Sequence, residues 1–282
     1  MTLAARQSDY GSDPIVVAYG AGVDSTAMLI GLRDRRIPVA LILFADTGSE
    51  KPETYAYLPI IQDWLAREGM PPVTVLKRNS PRAGDTSLHG ECLRKRVLPS
   101  LAYGGHSCSL KWKVDPQWAA TRLHFGWDGR AKRWRHGPFI TKLIGYDAGP
   151  RDSRRMAAAS GKWPPGHNYR YPLQDWGWTR EFCEERIIGE GLPVPVTSAC
   201  FFCPASKKPE VDWLAEVHPE LMQISMEMER LAHERGLTTT KGLGRRWSWT
   251  EYLKLHPLLP PTASEDGEHR GRSLTNVTAQ HL

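Results

Sequence analysis

Two short runs place residue types that do chemistry at a workable spacing. Gly20-Ala21-Gly22-Val23-Asp24-Ser25 sets small residues beside a carboxylate and a hydroxyl. Small side chains let backbone N–H groups approach an anion closely, and a helix starting there adds partial positive charge. Ser25 can donate its hydroxyl to a phosphate oxygen, and Asp24 can cap the helix or hold Mg2+. The run is neither GxxxxGK[ST] nor GxGxxG, so it is not a Walker loop or a dinucleotide fingerprint. An ordinary strand-to-helix turn, with Asp24 or Ser25 as N-cap, would use the same residues. The second run, Cys200-Phe201-Phe202-Cys203-Pro204, is a CxxC followed by proline. Two thiolates at this spacing can clamp one metal ion or cluster. The other three of the five cysteines, Cys92, Cys108 and Cys183, are candidates to complete a four-thiolate site. Zinc fits four thiolates as well, although zinc ribbons bring two CxxC pairs and this chain has one. A redox CxxC and buried free cysteines are the remaining readings.

These runs need elements to position them. Ile15-Val16-Val17-Ala18 reads as a short buried strand that runs straight into the glycine loop, and Ala27–Leu32 continues as a helix. Val39–Phe44 is a second apolar run, stopping at Ala45-Asp46-Thr47-Gly48. A helix beginning at Pro52-Glu53 follows, with Leu58, Ile61, Trp64 and Leu65 on one face. Val73–Leu76 and Phe139–Ile144 are further strand candidates. Continuous apolar strands alternating with helices predict an α/β fold, a Rossmann-like parallel sheet with helices on both faces. Beyond residue 160 the texture changes. Helices are expected over 179–190 and, as one long element, over 210–235. The stripe Val211, Leu214, Val217, Leu221, Ile224, Met228 and Leu231 on the second is read as core packing. The expected organisation is a loose N-terminus (1–13), a nucleotide-binding domain (14–160), a mostly helical cysteine-containing region (161–259) and a loose tail (260–282).

Composition narrows the class. The chain has 282 residues, 40% of them hydrophobic, and a net charge of +6. That excludes general disorder and a disulfide scaffold, and favours an anionic partner. No apolar run of about 18 residues offers a membrane span, and the N-terminus lacks the apolar core of a signal peptide. A cytoplasmic location is expected. There thiols stay reduced, and metal binding by cysteines outweighs disulfides.

Four runs in order then resemble a known family. The glycine loop is similar to the SGGxDS pyrophosphate loop of the adenine nucleotide alpha-hydrolase-like ATP pyrophosphatases (the PP-loop family), with Gly20 for the first Ser and Ala21 for the first Gly. Phe44–Thr54 resembles the DTGxxxPET segment of the phosphoadenosine phosphosulfate (PAPS) reductase-like branch, and Cys108–Pro116 its Cys-Cys-x-x-(Arg)-Lys-Val-x-Pro segment. Gly145–Arg155 is loosely similar to its G-x-R-x-x-E-S-x-x-R segment. The resemblance implies ATP cleaved between its α- and β-phosphates with Mg2+, and transfer of AMP to an acceptor. It implies that Gly20, Ala21, Gly22, Val23, Asp24 and Ser25 hold phosphates and that Phe44 to Asp46 border the adenosine. Gly145 would lie beside the nucleotide, and Lys113, Arg151 and Arg155 would face anionic groups. In iron–sulfur members of the branch a Cys-Cys pair and a later CxxC hold a [4Fe–4S] cluster. Cys108 matches the first of that pair, and Ser109 replaces the second. The ligand set expected on this resemblance is Cys108, Cys183, Cys200 and Cys203, with Cys183 taken over Cys92 because it lies close to the CxxC in sequence. That arrangement is similar to the ATP pyrophosphatase of DNA phosphorothioation systems.

Residues 128–155 carry Arg130, Lys132, Arg133, Arg135, Lys142, Arg151, Arg154 and Arg155 against three aspartates, with Trp127, Trp134 and Tyr146 interleaved. Arginines among aromatics suit a nucleic-acid strand. A solvated basic face, or arginines serving the nucleotide, would look the same. The expected function is adenylation in sulfur modification of DNA or another nucleic acid, with a cysteine desulfurase as sulfur donor. A PAPS or adenylyl sulfate reductase is the alternative, against which stands the lack of any Cys after Cys203. A metal-stabilised nucleic-acid-binding module without catalysis is the third.

Overall fold

The computed structural model describes residues 10, 13–78, 84–126, 139–159, 161 and 166–257. Five parallel strands form one sheet: β1 (Ile15–Tyr19), β2 (Leu41–Asp46), β3 (Val73–Lys77), β4 (Ile140–Ile144) and β5 (His167–Arg170), in the order β3-β2-β1-β4-β5. Val17 pairs with Ile42 on one side and Leu143 on the other, so β1 is the centre. The three inner strands are buried along most of their length, as their continuous apolar runs require, whereas β3 and β5 sit at the edges and are each buried only at their first residue. The chain winds from β1 to β3 one way, then returns to place β4 on the other side of β1. That reversal opens a crevice at the carboxyl ends of β1 and β4.

Helix α1 (Val23–Asp34) leaves this crevice, and nine of its twelve residues are buried. It lies between the sheet and α8 (Arg180–Gly189), which is why so little of it is polar. Helix α2 (Pro52–Arg67) buries Ile61, Trp64 and Leu65 in the same core. A second core assembles at one end of the molecule. It takes Leu88 and Cys92 from α3 (Leu88–Lys95), Trp112 from the segment after α4 (Ser107–Ser109), and Phe201 and Phe202 beside the CxxC. Helices α9 (Lys208–Val217), α10 (Pro219–Glu234) and α11 (Trp249–Leu255) supply the rest. A five-residue π-turn, Leu110–Val114, leads into α5 (Asp115–His124), which packs on β2 and β3. Helices α6 (Pro150–Ala159) and α7 (Pro172–Asp175) flank β5.

The cores do not divide the chain at one point. Residues 88–112 belong to the second, whereas Leu173, Trp178, Ile187 and Leu192 belong to the first. The single helix expected over 210–235 is two. His218, at φ −132° and ψ 64°, precedes Pro219, and a residue before proline is pushed out of the helical region. The break resets the phase of the apolar stripe: Val217 is exposed, and the buried face of α10 is Met222, Ser225, Met228, Glu229 and Ala232. Among the described residues no helix is long and apolar enough to cross a membrane. The termini expected to be loose lie outside the described residues, apart from Tyr10 and Asp13.

Candidate functional site

The glycine loop sits at the carboxyl end of β1, at the crevice. Ala21 has φ +56°, the left-handed region that glycine occupies without strain. Gly22 is the N-cap of α1. The Ser25 hydroxyl accepts hydrogen bonds from the backbone N–H of Gly20 (3.2 Å) and Gly22 (3.3 Å) and donates to the Gly22 carbonyl (3.1 Å). Ser25 thus shapes the loop from within. The loop runs straight into the first turn of α1, a helix N-terminus of the kind that binds phosphate. Gly145 ends β4 directly against this turn: a Cβ there would stand 2.9 Å from the Ser25 backbone nitrogen. Its absent side chain is what lets the two strand ends converge.

Asp24 points to the other side of the turn. With Asp147 and Asp152 it forms a group whose ligand oxygens all lie within 4.8 Å of one another. Burial, and then Asp147 and Asp152, push the Asp24 carboxyl up to about 6, although Arg180 draws it down. The Arg180 guanidinium donates to Asp24 at 3.2 Å and to Glu184 at 3.0 Å. Arg155 pairs with Asp152 at 2.9 Å and lies over the Tyr146 ring at 4.2 Å. Three converging carboxylates at this helix N-terminus can hold a divalent cation. Arg151 is exposed on the same helix. Phe44 is packed into the first core, so only its main chain is free to border a ligand. Asp46 accepts from the Gly48 N–H and the Tyr55 hydroxyl, each at 2.7 Å, and so shapes the loop after β2.

The segment 196–203 joins this crevice to the cysteines. The Ser198 hydroxyl donates to the Gly20 carbonyl. Two residues on, Cys200 forms an antiparallel bridge with Glu50, and the Phe201 N–H donates to the Ser49 carbonyl at 3.0 Å. Around Cys200 stand Thr47, whose hydroxyl lies 3.4 Å from its sulfur, and Glu50. The Lys113 ammonium pairs with Glu50 at 2.9 Å. Burial works against the Lys113 charge, but Glu50 and the Cys200 and Cys203 sulfurs outweigh it and raise its pKa. The second Glu50 oxygen is buried without a hydrogen-bond partner.

Four thiols come to this pole. Cys108 interacts electrostatically with both Cys92 and Cys203, and Cys203 with Cys200. Burial pushes the Cys92 thiol up to about 12 and raises those of Cys200 and Cys203, so each is protonated at neutral pH. Beside them Glu91 gathers Lys95, Lys111 and the Trp112 indole N–H. Burial opposes its charge, yet these donors hold it at about 2. Cys183 is not among the four. The periodicity of α8 turns its fully buried thiol into the first core, where its charged neighbours are Asp24, Asp147, Arg180 and Glu184. Nearness to the CxxC in sequence did not translate into nearness in space, whereas Cys92, 108 residues before Cys200, lies at the right pole.

Glu50, Asp147, Asp152, Arg180 and Ser198 had no assigned role in the sequence. The two aspartates were visible inside the fourth family-like run. Arg180 and Ser198 carry no local signal, because each meets the crevice from more than 150 residues away. The cluster Arg130, Lys132, Arg133 and Arg135, with Trp127 and Trp134, lies outside the described residues.

No protein-family model and no curated protein matches the sequence. Among solved structures, the U34-tRNA thiolase NcsA from Methanococcus maripaludis with its [4Fe-4S] cluster aligns over 92% of this chain and 86% of that one, at 14% identity and a TM-score of 0.40. A likeness this loose carries no argument about what the chain does.

Proposed function

We propose that the protein is an ATP pyrophosphatase of the PAPS reductase-like kind that adenylates an acceptor for sulfur transfer and carries a [4Fe–4S] cluster. The single observation that carries this reading is the 196–203 segment. It ties the phosphate cradle, through Ser198 and Gly20, to the thiol pole, through Cys200 and Glu50. A nucleotide site and a metal-ready thiol group share one edge of one sheet.

In this reading the backbone of Gly20 to Ser25 holds the β- and γ-phosphates of ATP, next to Gly145. Asp24, Asp147 and Asp152 hold Mg2+, which offsets charge on the departing pyrophosphate. The acceptor oxygen bonds to the α-phosphorus, the α–β phosphoanhydride bond breaks, and pyrophosphate leaves. Arg180, Arg155 and Arg151 supply positive charge around the phosphates. Lys113, held on Glu50, keeps a positive charge between the crevice and the thiols.

The cluster's ligands in this proposal are Cys92, Cys108, Cys200 and Cys203. The Cys92, Cys200 and Cys203 thiols, raised by burial, stand with Cys108 and a nearby ammonium, a set that fits a group replacing thiol protons with metal. Zinc ribbons bring two CxxC pairs and this chain has one, which favours the cluster over zinc. When bound, the cluster supplies iron to which sulfur can attach. A cysteine desulfurase is the proposed sulfur donor, and a nucleic acid, with DNA first, the proposed acceptor.

Anaerobic purification followed by an absorption spectrum, iron and zinc analysis, and a pyrophosphate-release assay tests this. The expected outcome is about four irons per chain, and pyrophosphate release that needs Mg2+. Single Ala variants at Cys92, Cys108, Cys200 and Cys203 should lose iron, and Cys183→Ala should keep it. Stoichiometric zinc in place of iron, or iron retained in Cys92→Ala and lost in Cys183→Ala, would overturn the ligand assignment. A cluster-loaded protein that releases no pyrophosphate with any nucleic acid would overturn the enzymatic reading.

A further inference from the structure

At the start of the 196–203 segment lies a cleft of about 280 Å³ lined by Lys51, Val196, Thr197, Pro209, Glu210 and Trp213. It plays no part in holding ATP or the thiols. Its volume falls just below the roughly 300–1,000 Å³ of pockets for drug-sized ligands, so it suits one planar ring system. Lys51 is 4% exposed, an unusual degree of burial for an ammonium. Its Nζ reaches the Thr197 carbonyl only at 3.5 Å and stands 5.2 Å from the centre of the Trp213 ring. An ammonium has three donors, so two are left for a ligand. Across the cleft, Glu210 accepts from the Lys207 backbone N–H at 2.7 Å with one oxygen, which leaves the other as an acceptor. The cleft therefore offers a donor, an acceptor and the part of the Trp213 ring left between the Lys51 ammonium and His218, whose ring centre lies 5.5 Å away.

We propose that this cleft receives an unpaired nucleobase of the acceptor strand. The proposal rests on the reading of a nucleic-acid acceptor above and adds the place where that acceptor is read. Every base has a π-face for Trp213 and a donor beside an acceptor on its Watson–Crick edge, which complement Glu210 and Lys51. Position supports it as well. Lys51 follows Glu50, the bridge partner of Cys200, and Thr197 precedes Ser198, which bonds the glycine loop. A base held here lies within two residues of both the phosphate cradle and the thiol pole. A paired base cannot present its edge and face to such a cleft without leaving the stack.

The test is fluorescence anisotropy of a labelled oligothymidylate 12-mer, and of a duplex of equal length, on the full-length cluster-loaded protein. ATP affinity is measured in parallel. Trp213 also packs on the second core, so Trp213→Leu keeps the apolar bulk and removes the flat face. Trp213→Leu is expected to weaken single-strand binding roughly tenfold and to leave ATP affinity within twofold. Lys51→Met should also weaken single-strand binding, without changing the slope of log affinity against log salt, because the ammonium meets a base and not a phosphate. Single-strand binding indifferent to both variants, or a slope that flattens in Lys51→Met, would overturn the proposal. The two readings fail separately. Loss of single-strand binding in Trp213→Leu by a protein that binds no ATP leaves the cleft standing and removes the pyrophosphatase. Tight ATP binding with Trp213-independent strand binding does the reverse.

Discussion

The two ends of this molecule are built by different rules. The crevice at the glycine loop grows from a continuous stretch: β1, the loop and α1 follow one another, and the sheet order alone sets the crevice at their junction. The thiol pole has no such spine. It gathers α3, the π-turn and the CxxC from segments up to 110 residues apart, and it is held by buried charges: Glu91 under Lys95, Lys111 and Trp112, Glu50 under Lys113, and Glu229 under the 242–250 loop. An apolar parallel sheet needs only hydrophobic strands in the right order. A pole made of short helices and loops needs specific polar anchors to define one arrangement. The lesson is that the crevice should tolerate polar substitutions better than the pole, and should fail instead on backbone shape.

The largest effect that would break this contrast concerns Glu229. Its two oxygens accept from the N–H groups of Leu243, Trp249 and Thr250 and from the Ser248 hydroxyl. Glu229→Ala strands four buried donors, at about 1–3 kcal/mol each, so a loss of about 4 kcal/mol or more is expected. Urea unfolding should show it, together with failure to retain iron. A loss below about 1 kcal/mol would mean that the pole does not depend on its polar anchors.

At the crevice the counterpart is Gly145→Ala. The new Cβ meets the backbone of Asp24 and Ser25 at 2.9–3.0 Å. Backbone cannot rotate aside as a side chain can, so α1 must shift. Overpacking of this kind costs about 1–3 kcal/mol, and nucleotide affinity should fall more than stability does. Isothermal titration with ATP beside thermal unfolding separates the two. Unchanged ATP affinity would show that the convergence of β1 and β4 is not what shapes the cradle.

Asp24 sharpens the comparison with a change of opposite sign. Its carboxyl titrates near 6 in the folded protein, above the usual value near 3.9 in the unfolded chain. The folded state therefore binds the proton more tightly, and its stability declines as pH rises from about 4 to above 6. Asp24→Asn removes that penalty. It should be no more stable than the parent near pH 4 and about 1–2 kcal/mol more stable at pH 7.5 without Mg2+. Added Mg2+ should stabilise the parent above pH 6 and not the variant. Equal Mg2+-dependent melting shifts in both proteins would dissociate the carboxylate group from the cation.

The smallest effect is at Ala21. With φ +56°, an alanine there carries a conformational cost of about 1 kcal/mol that glycine avoids. Ala21→Gly should raise stability by up to about that amount, less the extra freedom it gives the unfolded chain. Thermal unfolding reads it. A destabilisation of 1 kcal/mol would show that the loop's shape is set by something other than this turn.

Much of the crevice was legible in the sequence. The apolar runs at 15–18, 39–44 and 139–144 mark the three central strands, which are buried on both faces and must be apolar throughout, and the run at 73–76 marks the edge strand β3. The glycine loop is where a strand-to-helix junction puts it, and α8 falls within a residue of its expected limits. The periodic stripe over 210–235 misled at its middle, since Pro219 overrides periodicity through the residue before it. What the sequence determined by itself were these local quantities: strand identity, the loop, the CxxC and the excess of positive charge. Tertiary structure alone decided which cysteines meet, that Arg180 reaches Asp24, that Ser198 closes on Gly20, and that Lys51 is buried against Trp213. The last three of those contacts each join residues more than 150 positions apart, and Cys108 meets Cys203 across 95. Their partners are chosen by how whole helices pack, and no short window of sequence records that.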